Sequence, residues 1–105
     1  MSYRIEITDP AEQDARNVAR WIAQSSLEKS TLWYFDFLEA ADGLQNFPAR
    51  CPIAPESSSQ RELRHLLFGK YRLIFTIDDE TVYILHVRHQ RQKPLSPDEV
   101  FEAFD

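Results

Sequence analysis

Hydrophobic and polar positions alternate with two different periods along this chain, and the change of period divides it into elements. Residues 3–8, YRIEIT, alternate apolar and polar, which predicts a short strand with Tyr3, Ile5 and Ile7 inward. The period then lengthens. Ala11, Ala15, Val18, Ala19 and Ile22 fall on one helical stripe, and Asp9, Pro10 and Glu12 before and within its first turn read as N-cap, first-turn proline and capping-box partner. Gln24-Ser25-Ser26 breaks the pattern. A second stripe follows at Tyr34, Phe37, Leu38, Ala41 and Leu44, and Pro48 marks its stop. Two helices joined by so short a break should form an antiparallel hairpin laid over the sheet.

Residues 47–60 read as a loop, because Pro48, Pro52, Pro55 and Ser57-Ser58-Ser59 cannot carry a regular ladder. Period two returns over residues 61–92, RELRHLLFGKYRLIFTIDDETVYILHVRHQRQ, as three β-rich runs. Gly69-Lys70 divides the first two, with Gly where a two-residue hairpin needs positive φ, and Asp78-Asp79-Glu80 supplies the second turn. Loops at 69–70 and 79–80 pair Phe68 with Tyr71 and Asp78 with Thr81. One face then holds Arg64, Leu66, Phe68, Tyr71, Leu73, Phe75, Ile77, Val82, Ile84, His86 and Arg88, and reads as core. The other holds Arg61, Leu63, His65, Leu67, Arg72, Ile74, Thr76, Tyr83, Leu85, Val87, His89 and Arg91, and reads as a half-open surface, apolar at its centre and cationic along one end. A one-residue change in the second turn would carry Tyr83, Leu85, Val87 and His89 across. Ser96-Pro97-Asp98-Glu99, with Val100, Phe101 and Phe104 behind it, predicts a short terminal helix.

The expectation is therefore an α+β fold in the order β-α-α-β-β-β. An N-terminal strand and a helical hairpin pack on an antiparallel C-terminal meander, and a short helix or tail follows. A chain of 105 residues with 43% hydrophobic content suits one domain over 1–105, with its core in 3–92 and a tail at 93–105.

Charge narrows the function classes. The net charge is −5, yet residues 61–93 carry seven Lys and Arg against four Asp and Glu, so the meander is locally basic while its flanks are acidic. A protein that grips nucleic acid through many phosphates usually has a basic surplus, so only a local cationic site is expected here. The apolar runs are too short for a membrane span, which takes roughly 18 residues, and MSYRIEITDP lacks a signal-peptide pattern, so a cytoplasmic location and no membrane partner are expected. Cys51 is the single cysteine, which excludes an internal disulfide and paired-cysteine metal sites. Its Pro-flanked loop offers no base, so a catalytic role is not expected. His65 and His89 share the second face but no Asp, Glu or Cys joins them at ligand spacing, so neither metal nor cofactor is expected. His86, between Leu85 and Val87, reads as a hydrogen-bonded structural histidine. Trp21, Trp33, Tyr34, Phe35 and Phe37 recur at helical spacing, as core or interface residues do, and not as a stacking platform for bases.

The order β-αα-βββ, the loop NFPARCP after the second helix, and GKYRLIFTIDDETVYILHVRHQR together resemble the RelE/ParE toxin superfamily. These are the toxic halves of bacterial type II toxin–antitoxin pairs, a group that includes plasmid stabilisation proteins. The likeness covers residues 3–92 and implies a small α+β toxin neutralised by a cognate antitoxin. It also implies one of two targets: ParE-like members inhibit DNA gyrase, whereas RelE-like members cut mRNA in the ribosomal decoding site. For the nuclease reading, the family's strand-borne positions map onto Arg72 beside Tyr71 as phosphate stabiliser, and onto His65, His89 and Arg91 as further catalytic positions. Such a site must activate a ribose 2′-OH, stabilise a phosphorane and protonate the leaving oxygen. An imidazole could serve as the acid or base.

Several positions depart from the nuclease pattern. Leu63 fills a site that is basic in RNA cleavers, no Tyr follows Arg91, and the tail after Lys93 is acidic. These departures favour the ParE-like reading. The RelE-like nuclease and a degenerate binding module without toxicity stay as alternatives. Trp33, Tyr34, Phe35 and Phe37 put apolar side chains around more of the second helix than one sheet can cover, so an antitoxin segment is expected to cover the rest.

Overall fold

The computed structural model describes residues 2–101. The chain runs β1 (Arg4–Ile7), α1 (Asp9–Ala23), α2 (Leu27–Asp42), two single 3-10 turns (Gly43–Gln45 and Pro48–Arg50), β2 (Arg64–Phe68), β3 (Tyr71–Asp78), β4 (Thr81–His89) and α3 (Pro97–Phe101). The four strands form one sheet in the order β1-β4-β3-β2, with β1 parallel to β4 and the rest antiparallel. The mixed α+β order is the one the periodicity predicts. Phe104 of the expected terminal helix lies outside the described residues.

Both hairpins close where the turn residues place them. Phe68 pairs with Tyr71 and Asp78 with Thr81, and Gly69 and Asp79 take left-handed φ angles of 55° and 54°. Gly does so without a Cβ penalty, and Asp is among the few L-residues that tolerate it.

Two caps behave differently. Ser26 caps α2, its Oγ accepting the Lys29 N–H at 3.1 Å. At α1 the expected Asp9–Glu12 capping box does not form: Thr8 holds the N-cap position, its hydroxyl donates to the Ile84 carbonyl at 2.7 Å, and Glu12 pairs instead with Arg16. The hydroxyl thus ties the β1–α1 corner to β4 and caps no helix amide.

The helical hairpin covers one sheet face. Ala11 and Ala15 of α1 and Phe37 and Ala41 of α2 pack on Leu73, Phe75, Val82, Ile84 and Val87. The two alanines let α1 lie close to the strands. The opposite face is not half-open, as the pattern suggested. Leu63, Ile74 and Leu85 are sealed there by Ala54 from the long loop and Val100 from α3. A Ser96–Glu99 capping box, absent at α1, is formed at α3: the Glu99 N–H donates to Ser96 Oγ at 3.3 Å and the Ser96 N–H to Glu99 Oε1 at 3.0 Å.

A β-bulge alters the predicted faces. Ile74 pairs with His86 but Phe75 pairs with Ile84, so Leu85 is an extra residue on β4. Beyond it the alternation is inverted: Val87 stands opposite Leu73 and His89 opposite Tyr71, on the helix side, while His86 and Arg88 stand opposite Ile74 and Arg72. Val87 and His89 do cross to the other face, but the shift occurs within the strand and not at the second turn, whose two-residue loop is as predicted. Tyr83 and Leu85 keep their predicted face.

Candidate functional site

Arg72 sits mid-sheet, on the face that the loop and the tail cover. β3 carries it there because its neighbours Leu73 and Phe75 must face the helices, and period two turns Arg72 and Ile74 the other way. The loop brings Glu56 over it. Nη1 of Arg72 donates to Glu56 Oε1 at 2.8 Å and Nη2 donates to Oε2, a bidentate pair with 4% of Arg72 and 3% of Glu56 exposed. The Leu95 N–H donates to the same Oε2 at 3.0 Å, so the start of the C-terminal segment closes the lid.

The electrostatics follow from that enclosure. Burial pushes the Glu56 carboxyl up, but hydrogen bonds from Arg72 and Leu95, with the guanidinium charge, outweigh it and leave its pKa below the ordinary value. His65 lies beside the pair, Nδ1 at 3.3 Å from Arg72 Nη1. Burial and the adjacent Arg72 charge both lower its pKa, so the ring is held neutral. A neutral imidazole can accept from the guanidinium through Nδ1. Glu56 and His65 thus take up Nη1 and Nη2 of a guanidinium that is itself 4% exposed.

His89 and Arg91 are elsewhere. The bulge turns His89 to the helix side, where its ring meets Tyr71 edge-on at 5.2 Å between centroids. Tyr71 belongs to an aromatic group with Trp33 and Phe68, centroids 5.3 and 6.2 Å away. Arg91 follows in the exposed turn after β4, its N–H donating to His89 Nδ1 at 3.1 Å. The four residues that the resemblance groups as one nuclease centre thus divide into His65 and Arg72, on the face that the loop and tail cover, and His89 and Arg91, at and beyond the end of β4; only Arg72 is buried. Leu63 is fully buried beneath the loop. His86 is structural, as expected: Nδ1 lies 2.9 Å from Asp14 Oδ2, which also accepts the Val87 N–H at 3.1 Å.

Glu56 is the residue sequence reasoning missed. Nothing local signals it, because its partner lies sixteen positions away and its loop reads as solvent-facing. A lone acid in a Pro- and Ser-rich loop facing a strand arginine is the only trace. Phe47 was likewise missed: it sits at a φ of 50°, 82% exposed, at the N-cap of the second 3-10 turn. Cys51 is buried, and burial pushes its thiol up, which makes it a poor nucleophile. Among the described residues no group of three His, Cys, Asp or Glu could hold a metal ion, and no helix is long and apolar enough to cross a membrane.

The helical hairpin divides its aromatics. Phe37 is buried and Trp33 stacks on it at 6.0 Å, whereas Trp21, Leu27, Leu32, Phe35 and Leu38 remain exposed. A groove of about 600 Å³ runs between α2 and β1, with Ile5, Ile7, Phe35 and Leu38 as its apolar walls and Glu39 and Asp42 at its rim.

The chain matches the family model described as ParE toxin of type II toxin-antitoxin system, parDE, over residues 5–94. No curated protein matches it in sequence. Among solved structures it is similar to the chromosomal ParDE TA system from P. aeruginosa, with TM-score 0.69 and 16% identity over 84% of this chain and 96% of that one. It is similar also to the toxin–antitoxin complex RelBE2 from Mycobacterium tuberculosis, with TM-score 0.61 and 26% identity over 85% and 99%. The archaeal RelE-RelB complex from Pyrococcus horikoshii follows, with TM-score 0.58 and 20% identity over 89% and 100%. At their identities the first and third of these speak to the fold alone.

Proposed function

The chain belongs to the ParE toxin family of type II toxin–antitoxin systems, and from that premise we propose that it acts by binding and inhibiting a central target, DNA gyrase, and is neutralised by a cognate antitoxin. The observation that carries this reading is the enclosure of Arg72. A ribonuclease of this fold would need a cation free to meet the phosphorane, with an acid and a base on either side. Arg72 is instead buried and paired with Glu56 and His65 under a covered face, His89 is on the helix side of the sheet, and Arg91 lies in the exposed turn after β4. Leu63 adds a buried apolar side chain where a second cation would be needed. A toxin that works by occupying a protein target needs no such centre.

The antitoxin half of the reading is supported by the exposed apolar residues of the helical hairpin. Phe35 is 63% exposed and Leu38 38%, and they border a groove whose other wall is β1, the outer strand of the sheet. An extended or helical segment could fill that groove and cover them.

Induced expression with and without the adjacent small open reading frame tests the proposal. Growth arrest with a DNA-damage response, relieved by the neighbouring frame, is the expected outcome. Arrest with mRNA decay would instead indicate the nuclease, and no arrest a binding module that has lost toxicity.

A further inference from the structure

The loop after α2 carries a bulky side chain that the fold itself does not use. Phe47 has a φ of 50° and a ψ of 53°, the left-handed region that glycine and asparagine tolerate and phenylalanine rarely adopts. It also precedes Pro48, and a residue before proline favours extended backbone. The neighbours hold the turn in place. Pro48 is fully buried, the Arg50 N–H donates to the Phe47 carbonyl at 3.0 Å, and Arg50 Nη1 donates to the Asn46 and Phe47 carbonyls at 2.6 and 3.0 Å. None of these contacts involves the Phe47 ring, and the residue is 82% exposed. Glycine or asparagine would make the same turn with less strain, so a contact outside the chain accounts for the ring.

Phe47 borders a cleft of about 920 Å³ whose other walls include Tyr3, Pro48, Arg50, Asp79 and Glu80. Backbone hydrogen bonds bring these segments together. The Tyr3 N–H donates to the Gln45 carbonyl at 2.9 Å and the Arg4 N–H to the Glu80 carbonyl at 2.8 Å, so the start of β1 ties the loop to the β3–β4 turn. Two aromatic residues and two carboxylates therefore line one cleft. We infer that this cleft is a docking site for an arginine side chain presented by a segment of a partner protein.

Charge complementarity selects the occupant. Asp79 and Glu80 are exposed, and the ion pairs among the described residues use Glu12, Asp14, Glu56 and Glu62 instead. The one cation in the cleft, Arg50, turns its Nη1 back onto two loop carbonyls. A guanidinium suits what remains, because it pairs with carboxylates through charge-assisted bonds and stacks on aromatic faces. The volume is that of a cleft enclosing a small ligand or several side chains, so a peptide segment fills it where a single ion would not. The same carboxylates repel an acidic segment or a phosphate. None of the residues lining this cleft lines the α2–β1 groove, and the inference is independent of the target and antitoxin contacts proposed above.

The test is titration of the full-length ¹⁵N-labelled protein at low ionic strength with the peptide acetyl-Leu-Arg-Leu-amide. Its citrulline analogue, which keeps the shape and loses the charge, and spermidine serve as controls. Saturable amide shifts confined to the start of β1, the Phe47 loop and the β3–β4 turn are expected with the arginine peptide alone. Affinity should fall about tenfold or more in Phe47→Asn and in Asp79→Asn/Glu80→Gln. Asparagine tolerates the left-handed φ of both Phe47 and Asp79, so the two turns survive these changes. Phe47→Asn should also melt no lower than the parent, which a ring packed for stability would not allow. Absence of saturation, equal binding of the citrulline peptide or of spermidine, equal affinity in either variant, or a lower melting temperature in Phe47→Asn would overturn the inference. Shifts at the same residues on concentrating the chain alone would make a second copy the occupant and overturn it too.

Discussion

The guanidinium of Arg72 and the carboxylate of Glu56 form a bidentate ion pair inside the protein, joining the central strand β3 to the long loop. Removing one partner leaves the other charged and buried, which costs about 3–5 kcal/mol, whereas replacing both by apolar groups of similar volume is often neutral. Arg72→Ala should therefore lower the urea midpoint sharply, and Arg72→Met with Glu56→Leu should recover most of the loss. A single variant as stable as the parent would show that the pair is not closed in solution.

Acid should loosen the same region in two stages. The folded pKa of His65 lies below its ordinary 6.5, so the unfolded chain takes up that proton first. Its contribution is present above pH 6.5 and is lost as pH falls through the folded value. Glu56, also lowered, contributes fully above its ordinary 4.5 and loses that contribution as pH falls through its own folded pKa. The melting temperature, followed downward from pH 7, should fall first below pH 6.5 and again below 4.5. In His65→Gln the first fall should shrink and the second should remain.

Gly69 holds the first hairpin at a φ of 55° in open space, so a side chain there meets strain and no clash. Gly69→Ala should cost about 1 kcal/mol, while Gly69→Asn should cost less, because Asn tolerates the left-handed region. Paired denaturation curves check the order; equal stability of the two variants would count against this account of the turn.

Phe35 and Leu38 are exposed and lie on the wall of the α2–β1 groove. Phe35→Asp with Leu38→Asp should leave the melting temperature nearly unchanged and weaken co-purification with the antitoxin encoded by the adjacent frame. Unchanged recovery of the complex would place the antitoxin elsewhere.

Most of the fold was legible in the sequence because its signals are local. Gly69 and the acidic turn fix both hairpins, Pro10 marks the start of α1 and Gln24-Ser25-Ser26 the break between the helices, and the alanine stripe of α1 marks its buried side. The bulge at Leu85 was not legible: Tyr83, Leu85 and Val87 alternate without a glycine or polar interruption, and only the packing of both faces displaces the register. That single residue turns His89 to the face opposite His65 and Arg72, so the four positions that the resemblance groups do not share one face of the sheet. The cover over the second face was equally hidden. Val100 and Ala54 reach it from segments with weak patterns of their own, and the Glu56 contact is a long-range pairing. At α1, Asp9 and Glu12 met every local rule for a capping box, yet the Thr8 hydroxyl binds a strand carbonyl instead.

Inhibition of a protein target without RNA cleavage can be read by adding the purified chain to a DNA gyrase supercoiling assay and, in parallel, to a translating ribosome system with a defined mRNA. Dose-dependent loss of supercoiling that antitoxin reverses, with the mRNA intact, is the expected result. Cleavage of the mRNA, abolished by Arg72→Ala or His89→Ala variants shown to be folded, with supercoiling unaffected, would contradict it.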